Sequence, residues 1–370
     1  MSEYQLELKQ IVDYPRCRIY RHFIRQLIAD RSIRMGGSSG LFYFTVLSSY
    51  ANFRTSYKRI DGVSYTIFPG EWLCRVSDLT EWFRTRFHYQ AIAILNDLQE
   101  RHLISYTLLG RGKLVKFKIS GWSKSNHVLD YNAPCQKDTG FFFLPVSLAN
   151  ELVSYGRCSE MDAVLDLWIN TVYNDEQVDG SVAGPVVYFR NRTGSPLIGY
   201  AELAKRWGVS KATAGRYLRK LKDLSYITLV SFPGTHGSAI YLQKYLSTMF
   251  QISDVMVDKE EVAMALHIKI DLPDYEDSGA DSMSVSKPIS GVSESTIASI
   301  LQKVGKVLSA QGFPCFACRK MRYKLLPLSP DCREMRLDVG EIMEYRGMLV
   351  LSCADDEVFR FEIGLLPEEV

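Results

Sequence analysis

Residues 197–245 carry two hydrophobic periods in succession. Leu203 and Ala204 fall on one face of a short helix, Gly208 and Val209 make a turn, and Ala214, Leu218 and Leu221 recur at helical spacing in a second helix. Ser210 is placed to cap that second helix by accepting a backbone N–H. The period then shortens to two. Ile227 and Leu229, then Ile240 and Leu242, alternate as two strands around a Pro-Gly-Thr-His-Gly tip.

An earlier stretch, residues 41–121, repeats this order of elements. It opens with a helix over 41–53 and a strand over 63–67, and strands over 105–109 and 114–119 close it around Gly110-Arg111-Gly112. Leu73 and Leu79 precede Leu197 and Leu203 by 124 positions. Ala91, Leu95, Leu98 and Ile104 precede Ala214, Leu218, Leu221 and Ile227 by 123. Six apolar matches in order, with the one-residue change in a turn, read as a duplicated unit rather than a chance alignment of leucines.

The remaining pattern is simpler. Residues 16–34 read as an amphipathic helix with Tyr20, Phe23, Ile24, Leu27 and Ile28 on its stripe; such a basic helix packs on a neighbouring domain or lies on a membrane or on DNA. Residues 35–40 read as a flexible joint. Residues 145–154 read as a helix, and Ser159 with Asp162 has capping-box spacing at the start of another, running to 173. Residues 186–189 read as a strand. Residues 254–281 hold nine acids against Lys259 and Lys269, and 274–295 are rich in Ser, Gly, Asp and Glu with few large apolar residues, which reads as an acidic, disordered linker. A helix over 296–311 and strands over 322–326, 335–339, 348–353 and 358–363 form a small closing domain. The predicted fold is α+β: 1–40 an N-terminal helix and joint, 41–121 the first module, 122–140 a linker, 141–250 the second module, 251–295 an acidic linker, 296–370 an α+β domain.

Charge separates the two copies. Residues 199–225 hold seven Lys or Arg against two acids, within a chain of net charge +2. The polar face of the second helix carries Lys211, Ala212, Gly215, Arg216, Arg219 and Lys220. The first copy has His88, Tyr89, Ile92, Ala93 and Asn96 at the matching exposed positions, with cations only around it at Arg84, Arg86, Arg111, Lys113, Lys116 and Lys118.

Leu203-Ala204, Gly208-Val209-Ser210, Thr213, Arg216, Leu218, Leu221 and Ile227 together resemble the winged helix-turn-helix superfamily of DNA-binding domains, over about fifty residues. The resemblance implies tandem winged helices, with the second recognition helix in a major groove. On it, Ser210, Lys211, Ala212, Thr213, Gly215, Arg216, Arg219, Lys220 and His236 at the hairpin tip are the expected contacts to double-stranded DNA. Gly215, expected on the exposed side, either admits DNA closely or is a weak spot costing about 0.8–1.0 kcal/mol against Ala. His88, Tyr89, Ile92 and Asn96 are expected to serve protein interaction, as in a homodimer, because phosphate contacts need cations. The implied role is a transcriptional regulator. The alternatives are a plasmid or phage replication initiator, which also looks like paired winged helices with one copy for dimerisation, and an interaction scaffold that never touches DNA.

Other chemistry is sparse. Enzyme signatures such as GxxxxGK[ST], GxSxG and HExxH are missing, so the expectation is not an enzyme. Cys315 and Cys318 form one CxxC, with Cys332 and Cys353 downstream, a weak candidate for a structural zinc; no other cofactor is implied. The spread cysteines, the lack of a signal-peptide core and the lack of a long apolar run give an expectation of a cytoplasmic protein with no membrane partner.

Overall fold

The computed structural model describes residues 4–12, 14–35, 39–126, 140–232, 237–249, 262, 266, 294–310, 322–327, 345–352 and 358–367. It is a mixed helix-and-strand protein built on small open sheets. Among the described residues no helix is long and apolar enough to cross a membrane.

The first unit begins with α2 (Gly40–Tyr50), a helix buried nearly all round. A hairpin of β3 (Ser56–Ile60) and β4 (Val63–Ile67) follows, then β5 (Glu71–Arg75), α3 (Val76–Trp82), α4 (His88–Glu100), β6 (Ile104–Leu109) and β7 (Leu114–Ile119). The sheet order is β5-β7-β6, all antiparallel. The second unit has α7 (Glu160–Ile169), short strands β9 (Thr171–Val172) and β10 (Val186–Val187), α8 (Tyr200–Arg206), α9 (Lys211–Asp223), β11 (Ile227–Phe232) and β12 (Gly237–Leu242), in the order β11-β12-β10-β9. Where the first unit has the full strand β5, the second has a single bridge, Ile198 to Ser238. The duplicated positions take equivalent places: Leu79 and Leu203, Ala91 and Ala214, Leu95 and Leu218, Leu98 and Leu221, and Ile104 and Ile227 are all buried.

The helix expected over 16–34 is only partly one. Its first five residues are β2 (Arg16–Tyr20), paired with β8 (Phe141–Pro145), and α1 (Arg21–Ala29) comes after. Cys17 and Ile19 alternate inward, while Arg16 and Arg18 lie over the rings of Phe143 and Phe141 at 3.8 and 4.5 Å. A partner strand more than a hundred residues away overrides the local stripe. The helix from Ser159 has its capping box, Asp162 N–H donating to Ser159 Oγ at 3.0 Å, but stops at Ile169. Asn170 and Thr171 turn their side chains back onto Asp166 O and Leu167 O at 2.8 Å each. The strand expected over 186–189 has two residues.

One continuous apolar core runs from Cys17 to Met249 through both units. α2 packs on α7, and Phe23 of α1 stacks on Trp168 of α7 at 3.9 Å. Helix α6 (Val146–Ser154) and the short helices α5 (Trp122–Ser125) and α10 (Tyr245–Met249) close the sides. Asp162 joins the units directly: it lies at the N-terminus of α7 and accepts the Phe42 N–H of α2 at 2.9 Å.

A separate four-stranded sheet has the order β1-β15-β14-β13. It combines β13 (Arg322–Pro327), β14 (Tyr345–Ser352) and β15 (Val358–Pro367) with β1 (Tyr4–Ile11) from the start of the chain, accompanied by α11 (Glu294–Ala310). Ile300, Val304 and Leu308 of α11 are buried, as their spacing predicts. The strand expected over 335–339, and the acidic residues 254–281 apart from 262 and 266, lie outside the described residues.

Candidate nucleic-acid interface

Helix α9 is held from below and bare above. Ser210 Oγ accepts Thr213 N–H at 3.1 Å and meets Thr213 Oγ1 at 2.9 Å, so both hydroxyls serve the cap. Ala214, Leu218 and Leu221 enter the core, and Tyr217 donates to Cys158 O at 3.2 Å. The side of α9 turned to solvent carries Lys211, Ala212, Arg216, Arg219, Lys222 and Asp223. Lys211, Arg216 and Arg219 are exposed and form no ion pair among the described residues. Four cations against one acid on an arc of just over three turns make a positive ridge. The dipole of the helix adds positive potential at its Lys211 end.

Two of the expected contacts are placed elsewhere. Gly215 is buried, not exposed: a Cβ there would lie 3.5 Å from the Tyr200 ring of α8, so the glycine lets the two helices approach. Lys220 sits at the edge of the ridge and pairs with Glu160, which also accepts Arg34 N–H at 2.9 Å. Helical spacing alone cannot distinguish a cation facing solvent from one facing a buried acid on a distant helix. His236 lies outside the described residues.

The turn before α9 is anchored by groups that the sequence reading passed over. Asp166 of α7 is fully buried and takes Arg206 in a two-pronged pair, Nε at 2.7 Å and Nη2 at 2.6 Å, with Trp207 Nε1 donating at 2.8 Å. Arg206 is thereby removed from the cations available at the surface. Gly208 has φ +61°, and a Cβ there would meet Gly156 O at 2.5 Å, so only glycine fits.

The matching surface of α4 has a different character. His88, Tyr89, Ala93 and Asn96 stand where Lys211, Ala212, Arg216 and Arg219 stand on α9. Tyr89 is 68 % exposed and stacks on exposed Phe87, ring centroids 5.6 Å apart. Ile92, the counterpart of Gly215, is partly buried, and Asn96 accepts the Tyr106 hydroxyl of β6 at 2.5 Å. Of the cations around this unit, Arg84 points inward. Its guanidinium donates to the carbonyls of Leu27, Ile28, Asp30 and Ile33 at 2.5–3.0 Å, which excludes it from an outer surface. Lys116 pairs with Glu71 at 2.8 Å. Arg86, Arg111, Lys113 and Lys118 are exposed.

Among the described residues no three His, Cys, Asp or Glu side chains are grouped to hold a metal. Cys315, Cys318, Cys332 and Cys353 lie outside them. Cys17, Cys74 and Cys158 are buried free thiols. Burial pushes the Cys17 thiol up to about 12 and raises the other two as well, which leaves them un-ionised and poor nucleophiles. Comparison of the chain with protein-family models, with curated proteins and with solved structures returns no match.

Proposed function

We propose that this chain is a sequence-specific double-stranded DNA-binding protein of tandem winged helices, and that α9 is its recognition helix. The observation that carries the reading is the set Lys211, Arg216 and Arg219: exposed, unpaired among the described residues, and rooted on a helix whose other face is core. A major groove admits such a helix, and Arg or Lys on it reaches base edges or the adjacent phosphates. Lys211 and Arg216, nearer the N-terminal end, make the base-edge contacts, and Arg219 holds the backbone. The strand–helix–helix–hairpin order supports the winged form. The role is that of a transcriptional regulator.

A second reading, a replication initiator of a plasmid or phage, is favoured by the asymmetry between the units. The face of α4, which has no Lys or Arg on the helix itself and carries Tyr89 and Ile92 beside Phe87, suits a homodimer contact better than a phosphate backbone. A scaffold that never touches DNA is opposed by the ridge on α9. The test is selection of bound fragments from a random duplex pool, with wild type and Arg216→Ala in parallel. Wild type enriches a shared sequence and the variant does not; equal enrichment by both, or none by wild type, overturns the assignment of α9.

A further inference from the structure

The hairpin β3–β4 lies outside the helix–turn–helix order, and the sequence pattern showed only its second strand. Its register pairs Tyr57 with Thr66 and Arg59 with Ser64. Strand alternation then puts Tyr57, Arg59, Ser64 and Thr66 on one face and Lys58, Ile60, Tyr65 and Ile67 on the other. The inner face packs on the unit: Ile60, Tyr65 and Ile67 join Leu73, Leu109 and Leu114 in one small core. Lys58 donates to Leu73 O at 2.7 Å and lies 4.1 Å from the centre of the Trp72 ring. At the tip, Asp61 pairs with Arg75 at 2.7 Å. The ribbon is therefore fixed to β5 and to the turn end of hairpin β6–β7.

The outer face consists of hydrogen-bond donors. Tyr57 is 80 % exposed, and Arg59 makes one long contact, 3.4 Å, to Gly62 O in its own turn. Residues 51–75 and 109–118 together hold eight Lys or Arg against two acids. Both acids are already paired, Asp61 with Arg75 and Glu71 with Lys116. Arg54, Arg59, Arg111, Lys113 and Lys118 are left exposed, with no ion pair among the described residues. An outer face of guanidinium and hydroxyl groups, with no carboxylate and no aliphatic side chain, is complementary to phosphate oxygens and carries no information about base sequence.

We infer that the β3–β4 ribbon, together with the turn of β6–β7, is a second DNA contact that grips the phosphate backbone of duplex flanking the site read by α9. This inference rests on the DNA-binding reading above. It gives the first unit a DNA role through its sheet edge, while its α4 face stays free for protein. Arg54, Arg59 and Arg111 neutralise phosphates, and Tyr57 with Ser64 and Thr66 supplies neutral donors.

The test measures affinity against salt concentration for wild type and for Arg54→Ala/Arg59→Ala/Arg111→Ala, on mixed-sequence duplexes of about 40 and about 15 base pairs. On the longer duplex the triple variant loses about 0.9 per removed cation from the slope of log affinity against log salt, close to three in all. On the shorter duplex, which spans little more than one helical turn, the two proteins differ by less than about twofold. The triple Arg→Lys variant keeps the wild-type slope, and all variants keep the wild-type melting temperature because the replaced side chains are exposed. Equal slopes for wild type and the alanine variant on the longer duplex overturn the ribbon contact alone. Failure of wild type to bind either duplex overturns the reading of α9, and the ribbon contact with it.

Discussion

The two helix–turn–helix units build the same joint from different chemistry. In the second, the end of α8 is anchored by charge: Asp166 binds Arg206 and Trp207 from inside the core. In the first, the corresponding residues are Trp82 and Phe83, and they are anchored by rings. Trp82 stacks on Tyr50 at 3.8 Å and 11°, and Phe83 meets Tyr43 edge-on at 5.0 Å. The following residue is in the left-handed region in both, φ +61° at Gly208 and +51° at Arg84. Gly208 is there because a carbonyl leaves no room. Arg84 accepts the backbone strain and uses its side chain to tie four carbonyls, in the last turn of α1 and just past it, to the turn. Two units with the same order of elements thus reach the same turn by different contacts.

That contrast can be broken at its strongest point first. Asp166→Ala leaves the Arg206 guanidinium partly buried without its acid and costs about 3–5 kcal/mol of unfolding free energy, read by urea titration. A loss under 1 kcal/mol means that the charge anchor is dispensable. Gly208→Ala places a Cβ against Gly156 O in a backbone region L-residues avoid, and costs about 2–3 kcal/mol by the same measurement. Arg84→Gly at the matching position relieves the backbone but forfeits the carbonyl contacts, for a net loss of about 1–2 kcal/mol. If glycine stabilises the first turn instead, Arg84 is not a strut.

The last effect concerns the place where the units meet. Burial pushes the Asp162 carboxyl up to about 7, against the hydrogen bonds from Phe42 and Ser159 that pull it down, and nearby Asp166 adds to the rise. The folded state therefore holds this proton more tightly than the unfolded chain does. The stabilisation it brings is full below about pH 4 and is lost as pH rises toward 7. Asp162→Asn removes this dependence, so that melting curves taken across that range flatten in the variant. An unchanged pH profile in the variant shows that Asp162 is not the group titrating.

The helix–turn–helix–hairpin order within each unit, the cap at Ser210, the capping box at Ser159 and the apolar positions common to the two units were all legible in the sequence. They depend on neighbours within a few positions, and periodicity reports such neighbours directly. The charge contrast between α4 and α9 was legible for the same reason. What tertiary structure alone decided was every choice of a distant partner. Residues 16–20 became a strand because Phe141–Pro145 lies beside them, and β1 joined a sheet more than three hundred residues further along the chain. Lys220 and Arg206 were taken up by acids on α7, Arg84 by carbonyls at the end of α1, and Gly215 by the Tyr200 ring. A side chain's composition and spacing set what it can bind, but the group that reaches it first depends on how the core brings remote segments together.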